Sequence, residues 1–122
     1  MFLYTLALED QCWYVGTSHN PKNRAYKHLN GTGAAWTRLH KPLVPLKDNL
    51  VITDLGNVTI SEAELEEDIV TERLQRKHGL NKVRGGYTIQ CRNMKKRPPR
   101  SKARWMYFRY KDCWSTMSEN AT

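Results

Sequence analysis

Tyr14-Val15-Gly16-Thr17-Ser18-His19-Asn20-Pro21-Lys22-Asn23-Arg24-Ala25-Tyr26-Lys27-His28 holds the end of a strand and the start of a helix. Tyr14-Val15 continues the β-favouring run begun by Cys12-Trp13, and Gly16 is expected to end it. Asn20-Pro21 is a helix entrance. The asparagine oxygen can accept from a free first-turn amide, and proline has its φ preset with no N–H to lose. The helix should reach Leu29 or Asn30 and stop at Gly31. Arg24 and His28, four apart, share one face of it, beside an apolar stripe of Ala25 and Leu29.

Upstream, residues 1–8 alternate and favour β structure, and Glu9-Asp10-Gln11 is a polar break, which predicts a hairpin. With a three-residue loop, Leu8 faces Cys12, Leu6 faces Tyr14, and Tyr4 falls on the Tyr14 face. Two phenols then lie diagonally across adjacent strands. Downstream, Ala34–Leu39 suits a short helix, Leu50–Thr53 a third strand and Gly56-Asn57 a turn. Ser61 with Glu64 reads as a capping box opening a long helix that Gly79 closes after His78. Ala63, Leu65, Ile69, Val70 and Leu74 are its expected buried side. Arg84-Gly85-Gly86 reads as a loop. From Arg92 onward cations crowd the chain (Lys95, Lys96, Arg97 and Arg100 among them), Pro98-Pro99 bars a helix, and Trp105–Tyr110 is aromatic. The division expected is a domain over 1–90 and a basic aromatic extension over 91–122 with a disordered end.

The chain of 122 residues suits one domain able to bury a core without disulfides. Its 20 Lys and Arg against 12 Asp and Glu give a formal charge of +8, which favours a polyanionic partner, nucleic acid first. Cys12, Cys91 and Cys113 show no C-x-x-C spacing, so neither a zinc cluster nor a secreted disulfide framework is expected. No leader or membrane span is evident, and the expectation is a soluble, cytoplasmic protein with no membrane partner.

The hairpin and two helices bring together two tyrosines, an arginine, a histidine and a carboxylate. Phosphodiester hydrolysis needs such a set: a group to take a proton from water, an acidic ligand for a cation, and a positive charge against the phosphate. Mg²⁺ often takes only one or two protein carboxylates and keeps several waters. Each residue alone has a plainer reading, as strand packing or solvated helix surface, and only the joint spacing overturns it. His19, His40 and His78 lack spacing partners and read as structural or exposed; Trp36 reads as core.

In this spacing the sequence resembles the GIY-YIG nucleases. Phe2-Leu3-Tyr4 stands at their Gly-Ile-Tyr, Tyr14-Val15-Gly16 at their Tyr-Ile-Gly, and Arg24 and His28 follow at the family's distance. Ala35–Pro42 and Val83–Tyr87 resemble segments of the small stand-alone branch, so the resemblance covers roughly residues 1–90. It implies an α/β fold, a three-stranded antiparallel sheet flanked by helices, and a metal-dependent endonuclease acting on DNA. The alternatives are a non-catalytic nucleic-acid-binding module and an RNA-directed nuclease. It also implies roles. Tyr14 would be the general base or the phenol that orients water, with Tyr4 the alternative for that role. Arg24 would face the phosphate, and His28 would assist proton transfer. Glu67 would hold Mg²⁺ or Mn²⁺, and no small-molecule cofactor is implied. On a helical wheel Glu66 is the more central on the apolar arc, so Glu67 rests on the resemblance. Asn81 stands near the family's late Asn at a different spacing. Phe2 replaces the family's first Gly, which carries no reacting group. Lys27, Arg84, Lys95, Lys96, Arg97 and Arg100 are the expected nucleic-acid contacts.

Overall fold

The computed structural model describes residues 1–88 and 93–96. The hairpin has the expected register. Strand β1 (Phe2–Leu8) pairs antiparallel with β2 (Cys12–Ser18), placing Leu8 opposite Cys12 and Leu6 opposite Tyr14. The three-residue turn Glu9–Gln11 joins them with Asp10 and Gln11 at positive φ. Strand β2 passes through Gly16 to Ser18, so this glycine is inside the strand rather than at its end. It lies opposite Tyr4, and a Cβ there would come within 2.5 Å of the Tyr4 hydroxyl oxygen. Only glycine leaves that phenol its place.

Helix α1 (Pro21–Leu29) starts as expected, with the Asn20 side chain accepting from the Asn23 amide. Short helices α2 (Ala35–Leu39) and α3 (Leu46–Asn49) lead to β3 (Leu50–Asp54), which pairs antiparallel with β1. Helix α4 (Ile60–His78) ends at Gly79 as read. Its capping box lies two residues earlier than expected. Thr59 rather than Ser61 caps it, and Glu62 closes the box, each bonded to the other's backbone.

The three-stranded antiparallel sheet is corrected to four strands in the order β3-β1-β2-β4. Strand β4 (Val83–Gly85) lies parallel to β2, where a loop was expected. The absence of a Cβ makes this possible, because one on Gly85 would collide with the Val15 carbonyl. Gly86, at φ 55, is equally bare beside Asp68.

The two sheet faces differ. Tyr4, Leu6, Leu8, Cys12, Ala25 and Trp36 pack under α1 and α2. Leu3, Val15 and Val83 pack against α4 through Val70 and Leu74. The expected buried side of α4 is partly wrong. Leu65 and Ile69 are exposed, whereas Asp68, Thr71 and Gln75 are buried with Ala63. Polar groups won this face because β4 and the following turn offer backbone to bond. Asp68 accepts from the Tyr87 amide, and Gln75 donates to the Val83 carbonyl and the Thr88 hydroxyl.

Beyond the break, Met94 is buried, and Asn81 grips its amide and carbonyl. The described part of the basic extension is therefore packed on the domain. Arg97, Arg100, the aromatic run and the expected disordered end lie outside the described residues. Among the described residues no helix is long and apolar enough to cross a membrane.

Candidate active site

Tyr4 is the centre of the site. Its ring is buried, and its hydroxyl lies 2.9 Å from His28 Nε2. The Tyr14 ring completes a triangle, with centroids 4.8 Å from His28 and 6.3 Å from Tyr4. Strand alternation sets both tyrosines on the α1 face, and helical periodicity turns Arg24 and His28 toward it.

His28 is held from both sides. Nδ1 lies 2.9 Å from Thr37 Oγ1, and the Thr37 hydroxyl donates to the Ala34 carbonyl at 2.8 Å. These short contacts form one directed chain: Nδ1–H to Thr37, Thr37 to Ala34. Nε2 is then left to accept the Tyr4 hydroxyl proton. The longer approach of the Ala34 amide to Nδ1, at 3.3 Å, belongs to the opposite tautomer, in which Nε2 donates to Tyr4. Gly33 lies flat against the ring, where any Cβ would strike Nδ1. Thr37, Gly33 and Gly16 were not singled out by sequence as functional. Thr37 follows Trp36 in a short helix, and only the fold puts it against a histidine nine residues earlier.

Burial and charge set the protonation states. Burial pushes the Tyr4 phenol up to about 12, the nearby Arg24 guanidinium pulls the other way by charge and hydrogen bonding, and Glu67 adds a smaller upward push. Burial, and then the charge of Arg24, lowers His28 to about 4. At neutral pH both groups are uncharged. Tyr4 therefore holds its proton firmly at neutral pH.

Glu67 approaches from the other face of the sheet. It is half-buried on α4 and accepts from the Thr17 hydroxyl at 3.3 Å, and Thr17 shares the Val15 side of β2. Its charge still reaches the Tyr4 phenol, as does that of Arg24. Glu66, the alternative on the helical wheel, is exposed. Among the described residues no three His, Cys, Asp or Glu gather around one point. A lone half-buried carboxylate fits a hard cation that keeps most of its waters, and does not fit zinc.

The expected nucleic-acid contacts divide. Lys27, Lys95 and Lys96 are exposed. Arg84 is not a contact. It is fully buried, donates to the Leu80 and Val83 carbonyls and to Asn81 Oδ1, and lies 4.7 Å over the Trp36 ring. A buried guanidinium needs its donors satisfied, and these carbonyls and this ring do so. Asn81 is occupied in the same structural clamp. Trp36 is core as read. His40 meets Asp10 at 3.1 Å, and His78 stacks on Trp13.

Comparison with known proteins gives partial matches. A UPF0213 protein of Neisseria meningitidis serogroup A is 42% identical over 41 residues, 34% of this chain and 45% of the relative. UPF0213 proteins of serogroups C and B are 39% identical over the same shares. The matching region thus spans under half of each relative. No protein-family model matches the chain, and no solved structure matches it.

Proposed function

We propose that the protein is a metal-dependent endonuclease of the GIY-YIG type that hydrolyses phosphodiester bonds in DNA. The observation that carries this reading is the Tyr4 hydroxyl, bonded to a neutral buried His28 and under the opposed charges of Arg24 and Glu67. Tyr4 from one strand, Arg24 and His28 from α1 and Glu67 from α4 act on one another there, and a buried neutral histidine among charged neighbours suits an active site. The UPF0213 likeness supports the same direction without stating an activity.

The residues divide the chemistry. Tyr14, half-buried beside His28, orients the attacking water. Arg24 offsets negative charge on the phosphate as it becomes pentacovalent. The Tyr4–His28 pair moves a proton. As the attacking water gives a proton to the Tyr4 hydroxyl, Tyr4 passes its own to His28 Nε2, whose tautomer is fixed by Nδ1–H on Thr37, and a proton returns through Tyr4 to the departing oxygen. Glu67 would hold Mg²⁺ or Mn²⁺, which supplies positive charge at the phosphate and a more acidic water when bound.

The test is incubation of purified protein with labelled duplex, single-stranded and branched DNA, and with RNA, in Mg²⁺, Mn²⁺ or EDTA. Incision that needs the metal, and that Glu67→Gln abolishes while leaving nucleic-acid binding intact, is the expected result. Binding without incision under every condition overturns the enzyme, and preferred cutting of RNA overturns the DNA assignment.

A further inference from the structure

A second feature lies between α1, α3 and the start of β3. Lys22, Tyr26, Leu46, Lys47 and Leu50 line a cavity of about 190 Å³. Leu46 and Leu50 pack against the core below and make an apolar floor. Tyr26, 57% exposed, stands as one wall, with Lys22 one turn before it on the same helix. Lys47 is exposed on α3. An exposed tyrosine over an apolar floor with two flanking ammonium groups contributes nothing visible to the fold, since the described core closes beneath it.

We propose that this cavity is a subsite for one unstacked nucleobase. The ring seats on Tyr26 over Leu46 and Leu50, and Lys22 and Lys47 take the phosphates on its two sides. The inference rests on the nucleic-acid part of the reading above, and on nothing in its chemistry. The volume is below the roughly 300 Å³ at which pockets begin to enclose a drug-sized ligand, and suits a single flat ring system. A base offers a π-face to an aromatic wall whatever its identity, while phosphates meet lysines as point charges. An acidic peptide would satisfy the lysines, but its small carboxylate side chains would leave the floor wet.

The position agrees with this. Leu50 pairs with Leu6, and two residues on, Ile52 pairs with Tyr4. At about 3.4 Å per residue the cavity floor and the partner of Tyr4 are about 7 Å apart along β3. Leu50 and Ile52 share a sheet face, and Ile52 is exposed. One nucleic-acid chain crossing that open edge can occupy the cavity and approach Tyr4 together.

Two sources supply an unstacked base: a single strand and a bulge in a duplex. The experiment measures binding in EDTA to three fluorescent DNA probes of equal length: a single strand, a duplex with one bulged base, and a fully paired duplex. Tyr26→Ala is expected to weaken the single-strand probe, the bulged probe or both by about fivefold to a hundredfold, and to leave the paired duplex unchanged. Tyr26→Phe retains full binding. Lys22→Ala and Lys47→Ala each reduce the salt dependence of binding by about one phosphate contact. The weakened probe identifies the source. Equal loss on all three probes, loss on none, or no binding to any of them overturns the subsite. Because no metal is present, these outcomes are independent of incision. A subsite without an enzyme leaves the Tyr26 effect with no cutting, and an enzyme without the subsite leaves metal-dependent cutting that Tyr26→Ala does not change.

Discussion

The two faces of the sheet both bury polar side chains, and they use them differently. On the α4 face Asp68 and Gln75 bond chiefly to the backbone of the 83–88 segment, with the Thr88 hydroxyl as a further partner of Gln75. On the α1 face Tyr4, His28 and Thr37 bond to one another, and the chain of contacts runs from a phenol to a single carbonyl. A side chain that satisfies buried backbone is explained by folding alone. One that satisfies another side chain could be replaced, with it, by apolar packing at little cost in stability. On the proposed function the α4 network serves structure and the α1 network chemistry, and substitutions can separate the two.

The largest separation is expected at His28. His28→Gln keeps a side chain that can bond both neighbours but cannot cycle a proton. Incision by the protein should fall about 10²- to 10⁴-fold, the range for loss of general acid–base catalysis, with little change in melting temperature. A rate within a few-fold of the parent would make the α1 network structural as well, and the contrast between the faces would disappear.

Next in size is a pH effect that only the α1 face should show. His28 titrates near 4 in the folded protein against an ordinary 6.5. Its folded value is depressed, so the unfolded chain binds the proton first. Stability is intact above about pH 6.5 and is lost as pH falls toward 4, by about 3 kcal/mol in full. Tyr4 has the opposite sense. Its folded value is raised to about 12, so its contribution is present below pH 10 and is lost as pH rises beyond it. Urea melts at pH 7 and pH 4.5 should differ more for the parent than for His28→Gln. Equal differences would place the acid sensitivity in the carboxylates instead.

How far this contrast was readable in sequence depended on whether the cause was local. The hairpin register follows from strand alternation and a three-residue loop, and α1 from Asn20-Pro21, so the placing of Tyr4 with Tyr14 on one sheet face and of Arg24 with His28 on one helix face is legible in the sequence. Strand β4 was missed because it is three residues long, ends in glycine and pairs in parallel with a distant strand. Its evidence is the shape of Val15 rather than its own sequence. Arg84 was misread because charge is visible in sequence, whereas the carbonyls and the Trp36 ring that accept it are not. Leu65 and Ile69 fit an apolar helix face, yet the face was filled by Asp68, Thr71 and Gln75, whose partners lie in the 83–88 segment. Thr37 gave no signal, because its role exists only through His28.

Asp68→Ala tests the structural side. It removes the acceptor of the Tyr87 amide, buried 19 residues away in sequence, and should cost about 2 kcal/mol, within the range for a buried donor left unsatisfied. Incision, measured well below the melting temperature, should be unchanged per folded molecule. A specific loss of rate without loss of stability would extend the chemistry to the α4 face.

The smallest effects, and the finest distinction, come from two buried threonines. Thr37 bonds His28 and the Ala34 carbonyl, whereas Thr71 bonds back to the Glu67 carbonyl four residues earlier in its own helix. That carbonyl already serves the helix, and a threonine bonding back in this way adds little or slightly weakens it. Thr71→Val, which keeps the shape, should change stability by no more than about 0.5 kcal/mol and leave incision alone. Thr37→Val removes the group that holds one imidazole nitrogen. It should cost about 1 kcal/mol and slow incision about tenfold, with the acid limb of the rate profile displaced because the tautomer is no longer fixed. The pair differs by one hydroxyl each, both buried and both on helices, so equal responses to the two substitutions would show that the partner of a buried polar group does not distinguish structure from chemistry in this protein.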